Sequence, residues 1–257
     1  MIVRKTQAEI ELMNRANEIV HEIHREMEAM LAPGVSTLDL DRRAEEMIRD
    51  SGGVPAFLGY NGFPASLCTS INDVIVHGIP SERDVLEDGD VIGIDCGVFY
   101  KGYCGDSART FAVGEISESA RQLLEVTQTS LDQAIEAVRP GGHVSDIGHA
   151  VESYVTPFGF GVVRDFVGHG IGSAMHEAPQ IPNFGQPGQG AKLKPGMVLA
   201  IEPMVNVGSP KVKVDSDGWT ARTVDGSLSA HFEFSVAVTE TGARVLGDVP
   251  ERLRHIA

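Results

Sequence analysis

Along His231-Phe-Glu-Phe-Ser-Val-Ala-Val238 polar and apolar residues alternate, the period of a half-buried strand. Val91-Ile-Gly-Ile94 is instead an unbroken apolar run, of the kind a sheet buries on both faces. The same reasoning, with the turn signals between runs, predicts strands over roughly 65–70, 74–78, 90–98, 104–113, 162–167, 197–206 and 230–238. Helices are marked by their caps. Thr6-Gln-Ala-Glu9 is a capping box heading a helix that runs towards Pro33-Gly34, and Ser36 or Thr37 opens a second that stops at Gly52-Gly53. Ser117 opens a third, ending before Pro140-Gly141-Gly142, and a fourth spans Ser145 to about Thr156. The class is α/β or α+β, with helices packed outside a central sheet.

The pattern also repeats. Leu86-Glu-Asp-Gly-Asp-Val-Ile-Gly-Ile-Asp95 parallels Leu193-Lys-Pro-Gly-Met-Val-Leu-Ala-Ile-Glu202 at an offset of 107 residues. That offset also aligns Pro33-Gly34 with Pro140-Gly141, Asp39 with Asp146, Glu45 with Glu152 and Gly52 with Gly159. One register kept from position 33 to position 202 implies a single domain, 1–257, built from two similar halves, roughly 1–110 and 111–257. A solenoid is excluded, because its shorter units would recur more often. Two halves meeting about a pseudo-two-fold would bring Asp95 and Glu202 to the same central place.

Acids interrupt the strands where chemistry is expected. The 90–98 strand carries Asp95, crosses Tyr100-Lys101-Gly102 and returns to Asp106. A turn centred on Tyr100-Lys101 would set Asp95 opposite Asp106 with side chains ~5 Å apart, unless Gly102 adds a bulge and shifts the register. Glu202 takes the place of Asp95 in the second half, and Glu233 is expected as the counterpart of Asp106. Two like charges ~4 Å apart repel by about 4 kcal/mol at an effective dielectric of about 20. Four converging carboxylates therefore need protons or cations, and oxygen ligands joined by one or two imidazoles suit divalent metals. Imidazoles stand in Val76-His-Gly-Ile79, in Gly168-His-Gly-Ile171 and, as His176, in Met175-His-Glu-Ala-Pro179. Glycines around His169 would let backbone and ligand approach it closely.

Composition narrows the class further. With 257 residues, 42% hydrophobic and 22% charged, the chain has ordinary globular composition and length for a sizeable core. No apolar run approaches the ~20 residues that span a bilayer. The opening Met-Ile-Val-Arg-Lys-Thr holds no signal-peptide core, so a cytoplasmic location without a membrane partner is expected. Cys68, Cys96 and Cys104 are odd in number and lack C-x-x-C spacing, against a disulfide framework. A net charge of −15 disfavours a general nucleic-acid binder.

Asp95 and Asp106 at their eleven-residue spacing, Gly168-His-Gly-Ile-Gly172, His176-Glu-Ala-Pro179, Ile201-Glu-Pro-Met-Val-Asn206 and Ser229-Ala-His-Phe-Glu233 together resemble the type I methionine aminopeptidases. Asn72-Asp-Val-Ile-Val-His-Gly-Ile-Pro80 and Trp219-Thr-Ala-Arg-Thr223 belong to the same pattern, and the likeness runs from about Thr6 to Leu246. The short bacterial form is the one resembled, without a zinc-binding extension or the helical insertion of type II enzymes. The resemblance implies the pita-bread fold, with a mainly antiparallel central sheet and outer helices. It also implies metal-dependent removal of the initiator methionine from new chains, preferring a small second residue. Two divalent ions (cobalt, manganese, iron or zinc) would be held by Asp95, Asp106, His169, Glu202 and Glu233. Asp106 and Glu233 would bridge, Asp95 would complete one ion, and His169 with Glu202 the other. A shared hydroxide would attack the first peptide bond. Glu202 would shuttle the proton, and His77 and His176 would hydrogen-bond the substrate and the tetrahedral intermediate.

By the same resemblance Phe57, Tyr60, Phe63, Cys68, Met175 and Trp219 would wall the methionine pocket. The family more often has cysteine at 57, tyrosine at 63 and phenylalanine at 175. Asn72, Val74 and Ser229 match positions that hold a monovalent cation in some relatives. A monomer that meets the ribosome transiently is implied as well. Two other readings stand beside this one: a proline-directed peptidase of the same fold, which usually carries an extra N-terminal domain, and a non-catalytic binding protein that keeps only the fold. Other residues carry less. His21 and His24, on a charged helix, are expected at the surface, and Glu22-Ile-His-Arg-Glu-Met-Glu28 as a solvated face. His231 is expected near the acids or as a structural residue, Cys96 and Cys104 as small buried hydrophobes. His143, His149 and His255 take no role.

Overall fold

A computed structural model describes residues 1–247. The helices form where their caps place them. Thr6 and Glu9 close the capping box of α1 (Gln7–Met30), Ser36 caps α2 (Thr37–Asp50) and Ser117 caps α3 (Glu118–Ala137). The fourth, α4 (Val144–Val155), begins one residue earlier than expected, because the Asp146 carboxylate accepts the His143 amide at 2.7 Å.

In the first half Val91–Tyr100 pairs along one edge with Val54–Pro55 and Leu67–Ile71 and along the other with Tyr103–Ala112, always antiparallel. The second half sets Ala243–Val245, Phe234–Val238, Val198–Ile201, Gly168–Gly170 and Glu177–Ile181 side by side, again antiparallel. Two three-stranded sheets flank them: Gly161–Val162, Met204–Asn206 and Ser229–His231 in one, and Val74–Val76, Ala221–Thr223 and Val212–Val214 in the other. The expected strand over 162–167 stops at Val162, and those over 197–206 and 230–238 are interrupted. The last two break at Glu202-Pro203 and Phe232-Glu233. Proline has no amide to donate there, and the Glu233 amide leaves its own half to reach the Ala108 carbonyl at 2.8 Å. The short strands Glu177–Ile181, Val212–Val214 and Ala221–Thr223 were not expected from the pattern. Each half buries its own apolar cluster between sheet and helices.

The repeat recurs bond for bond. The Gly34 amide donates to the Leu86 carbonyl as Gly141 does to Leu193, both at 2.8 Å, and the Ser36–Val85 bridge recurs as His143–Lys192. Towards the end of each half the offset widens to 125 residues. Gly89 donates to Val113 as Gly196 does to Val238, and Val91 pairs with Ala112 as Val198 does with Ala237. The halves are sewn together by Tyr103–Ala112 lying against residues 231–235: Glu233 to Ala108, the Ser235 hydroxyl to the Asp106 carbonyl, and the Thr110 hydroxyl to the His231 carbonyl. In this register the counterpart of Glu233 is Ala108, and the counterpart of Asp106 is His231. The expectation that Glu233 mirrors Asp106 is thereby corrected.

A second correction concerns α1. His21 and His24 are only 1% and 2% exposed, on a face shared with Asn17, Val20 and Met27 that packs against Tyr103–Ala112. Helical period decides their place, not the charged neighbours Glu22, Arg25 and Glu26, which are half-buried. Burial holds the His24 imidazole down at about 3, so it is neutral near pH 7.

Candidate metal centre and substrate cavity

The hairpin that carries the two aspartates turns at Lys101-Gly102, both in the left-handed region at φ 47° and 85°. That is the two-residue turn whose twist matches antiparallel strands. It lies one residue later than a turn centred on Tyr100-Lys101, so Asp95 pairs with Ala108 and Asp106 with Gly97. Asp95 and Asp106 are therefore diagonal neighbours on one face and not directly opposed. Across the join, His169 pairs with Ala200, two residues before Glu202 and so on the same side of the strand. The glycines around His169 serve the sheet. A Cβ at Gly168 would lie 2.3 Å from the Ala200 carbonyl oxygen, and one at Gly170 2.3 Å from that of Ala178. Their bareness lets backbone approach backbone, as expected.

All five expected ligands line one cavity of about 270 Å³. Asp106, His169 and Glu233, all buried, bring donor atoms within 4.8 Å of one another. The Nδ1 of His169 lies 3.0 Å from the Gly170 carbonyl, so it carries the proton and leaves the Nε2 lone pair facing Glu202 Oε1 at 3.5 Å. Burial pushes the carboxyls of Asp95, Asp106, Glu202 and Glu233 upward, and their mutual repulsion pushes Asp95, Asp106 and Glu233 further. Asp95 Oδ1, Asp106 Oδ1 and Glu233 Oε1 are buried with no hydrogen-bond partner among the described residues. Oxygens left unpaired in a desolvated, mutually repelling cluster are what divalent cations satisfy, so the donor set fits such ions.

Two imidazoles face the acids from the cavity wall. Burial lowers His77 to about 4, and burial followed by the proximity of His77 lowers His176, so both stand neutral near pH 7. His77, at φ 61°, is held edge-on to Phe166 and Trp219 with ring centroids 5.3 and 6.3 Å away. His176 lies 2.8 Å through Nδ1 from the Tyr60 hydroxyl, and its ring centroid is 4.3 Å from that of His169. The segment bearing Met175 and His176 is tied down by Glu177, whose carboxylate meets the buried Lys5 ammonium at 2.6 Å and accepts the Ala174 amide at 3.3 Å. The pattern of the sequence gave no notice of Lys5, Glu177 or the Tyr60 link. A buried lysine paired with a glutamate 172 positions away has no local signature.

Phe57, Tyr60, Phe63, Cys68, Met175 and Trp219 form the remaining wall, together with Asn61, which sequence reasoning missed. Asn61 sits at φ 48° between Gly59 and Gly62, a turn signal that could have marked it. Phe63 and Trp219 meet edge to face at 5.2 Å, and the Phe57 ring fills the space above Gly97, where a Cβ would come within 2.6 Å of it. Apart from this cavity, the Asn72 carbonyl accepts the Ser229 amide at 2.8 Å, with Val74 two residues on. Cys68, Cys96 and Cys104 are all buried and free. His143 and His149 lie on and beside α4, away from the cavity, and His255 falls outside the described residues. Among the described residues no helix is long and apolar enough to cross a membrane.

An antiparallel, duplicated fold closing on a carboxylate and imidazole cluster defines a metallopeptidase, and residues 11–240 match metallopeptidase family M24, to which the chain belongs. It is 53% identical over 246 residues to the methionine aminopeptidase of Clostridium acetobutylicum, across 96% of this chain and 98% of that one. To methionine aminopeptidase 1 of Bacillus subtilis it is 51% identical over 246 residues, across 96% and 99%. The crystal structure of methionine aminopeptidase from Thermotoga maritima superposes with a TM-score of 0.94 at 44% identity, covering 96% of this chain and 99% of that one. Prolidase from Pyrococcus furiosus shares the fold at a TM-score of 0.78 and 25% identity, but only 66% of its length is covered. The fold is the pita-bread fold that the motifs implied.

Proposed function

We propose that the protein is a metal-dependent methionine aminopeptidase that removes the initiator methionine from new chains, preferring a small second residue. The observation that carries this reading is the convergence of Asp106, His169 and Glu233 within 4.8 Å at one end of an apolar-walled cavity. Asp95, Asp106, His169, Glu202 and Glu233 would hold two divalent ions. When bound, such ions supply Lewis-acid activation of water and of the scissile carbonyl. The protein's own groups do the rest. Phe57, Phe63, Cys68, Met175 and Trp219 take the apolar, polarizable methionine side chain and exclude water from it. His77 and His176, neutral and carrying one N–H each, donate to the peptide and to the oxyanion that develops on its carbonyl. Glu202, lining the cavity beside His169, accepts the proton of the nucleophile and returns it to the leaving amine.

The whole of 1–257 acts as one catalytic domain in this reading, with halves of roughly 1–110 and 111–257. It works in the cytoplasm as a monomer, on chains as they leave the ribosome, and a monovalent cation sits near Asn72, Val74 and Ser229. The methionine aminopeptidases match this chain over nearly their full length, whereas a third of the prolidase lies beyond it, which favours this reading over proline-directed cleavage. A peptide panel decides. Metal-loaded protein should release methionine from Met-Ala-Ser and leave Ala-Pro-Ala intact; cleavage of the second peptide alone would overturn the assignment. Sedimentation with ribosomes in low salt tests the site of action.

A further inference from the structure

His231 occupies, in the second half, the place that Asp106 occupies in the first. The two are held alike. Thr110 Oγ1 donates to the His231 carbonyl at 2.9 Å and accepts its amide at 2.9 Å, while Ser235 Oγ donates to the Asp106 carbonyl at 2.9 Å and accepts its amide at 3.3 Å. The His231 side chain is thus fixed by its backbone as firmly as a proposed metal ligand is. It is 4% exposed, and its Nε2 has no hydrogen-bond partner among the described residues. That nitrogen lies 3.6 Å from Glu202 Oε2, and the other oxygen of Glu202 lies 3.5 Å from His169 Nε2. The carboxylate stands between two imidazoles. His169 spends its proton on the Gly170 carbonyl and presents a lone pair, so of the two rings His231 is the one able to offer Glu202 an N–H.

We infer that His231 is a positioning residue for Glu202: its Nε2–H donates to Oε2 and turns the carboxylate so that Oε1 faces His169. A buried donor beside a carboxylate oxygen is stable only when the two are joined, and a small rotation of either side chain closes the remaining gap. The asymmetry of the halves follows. A second aspartate at this position would add a fifth acid to a cluster that already repels itself, whereas a neutral imidazole adds a donor without charge. The inference rests on the reading of Glu202 as metal ligand and proton carrier.

His231→Leu and His231→Gln test it, the second keeping an N–H of similar reach. In the metal-stripped protein titrated with Mn(II) by calorimetry, His231→Leu should bind about 10–100-fold more weakly, and His231→Gln should return to near wild-type affinity. With Met-Ala-Ser the Leu variant should lose about 10–100-fold in kcat with little change in KM, again recovered by Gln. Wild-type affinity and kcat in the Leu variant would overturn the inference, and so would a folded Gln variant as impaired as Leu. Should the Leu variant fail to melt cooperatively, His231→Asn, whose amide falls short of Glu202, replaces it with the same expectation. The calorimetry stands apart from turnover. A wild type that cleaves nothing sinks the aminopeptidase reading, while the metal affinities still decide the role of His231.

Discussion

The two halves agree where the backbone must turn and differ where the cavity needs chemistry. Gly34 and Gly141 take the same left-handed conformation, at φ 97° and 88°, and the same hydrogen bond. Asp95 and Glu202 also correspond, each one residue beyond a matching apolar run, Val91–Ile94 and Val198–Ile201. At the join the match ends: Asp106 faces its counterpart as His231, and Ala108 as Glu233. Behind the join it ends again, since the 107-residue offset sets His24 on α1 against Leu131 on α3, both buried. Duplication has kept the frame and one acid per half, and the rest of the proposed ligand set is asymmetric. A strictly mirrored site would gather acids alone. The asymmetric one brings an imidazole to each side of Glu202.

The comparison can be broken most forcefully at the acids. Asp106→Ala and Glu233→Ala, though not counterparts, should each lower kcat/KM for Met-Ala-Ser by on the order of 1000-fold, about 4 kcal/mol of transition-state stabilisation. A mild effect in either would mean that one half suffices. His77→Ala and His176→Ala should each cost about 100–1000-fold in kcat, as loss of an oxyanion donor does, with folding unchanged in circular dichroism.

Stability sharpens the same contrast. The four cluster carboxyls bind protons more tightly in the folded protein than in the unfolded one, where they titrate near 4. Metal-stripped protein should therefore lose stability as pH rises from about 4 towards 7, and added Mn(II) should restore it; urea midpoints at each pH follow both changes. His24 works with the opposite sign. Its folded imidazole stays neutral down to about 3, so wild type loses stability as pH falls through the ordinary histidine range near 6.5. Between pH 7 and pH 5 that loss amounts to about 2 kcal/mol, and His24→Leu, which installs the residue of the second half, should lack it. The smallest effect belongs to the shared frame. Gly34→Ala and Gly141→Ala, with open space around each, should cost about 1–2 kcal/mol apiece and by equal amounts.

Much of this was legible in the residues. Caps placed the helix starts within a residue, and the 107-residue repeat announced the two-fold. The motif acids and histidines all reach one cavity, because each sits on or directly beside a strand whose apolar neighbours fix its face. What was not legible depends on long-range register. One residue in the position of the Lys101-Gly102 turn decides whether Asp95 opposes Asp106, and the 125-residue offset at the join is set by contacts between halves. His21 and His24 sit among charged neighbours in sequence, and only the helical period places them on the buried face of α1. Lys5–Glu177 and Tyr60–His176 join residues more than a hundred positions apart, and no local pattern records them.

The account stands on a metal cluster assembled jointly by the two halves, and one titration tests it directly. Protein stripped of metal is supplied with Mn(II) in steps while release of methionine from Met-Ala-Ser is followed beside Glu233→Ala. The expected result is no turnover without metal, activity that saturates as the wild-type site fills, and none at any metal concentration in the variant. Turnover that survives stripping, or a variant that matches wild type, would contradict it.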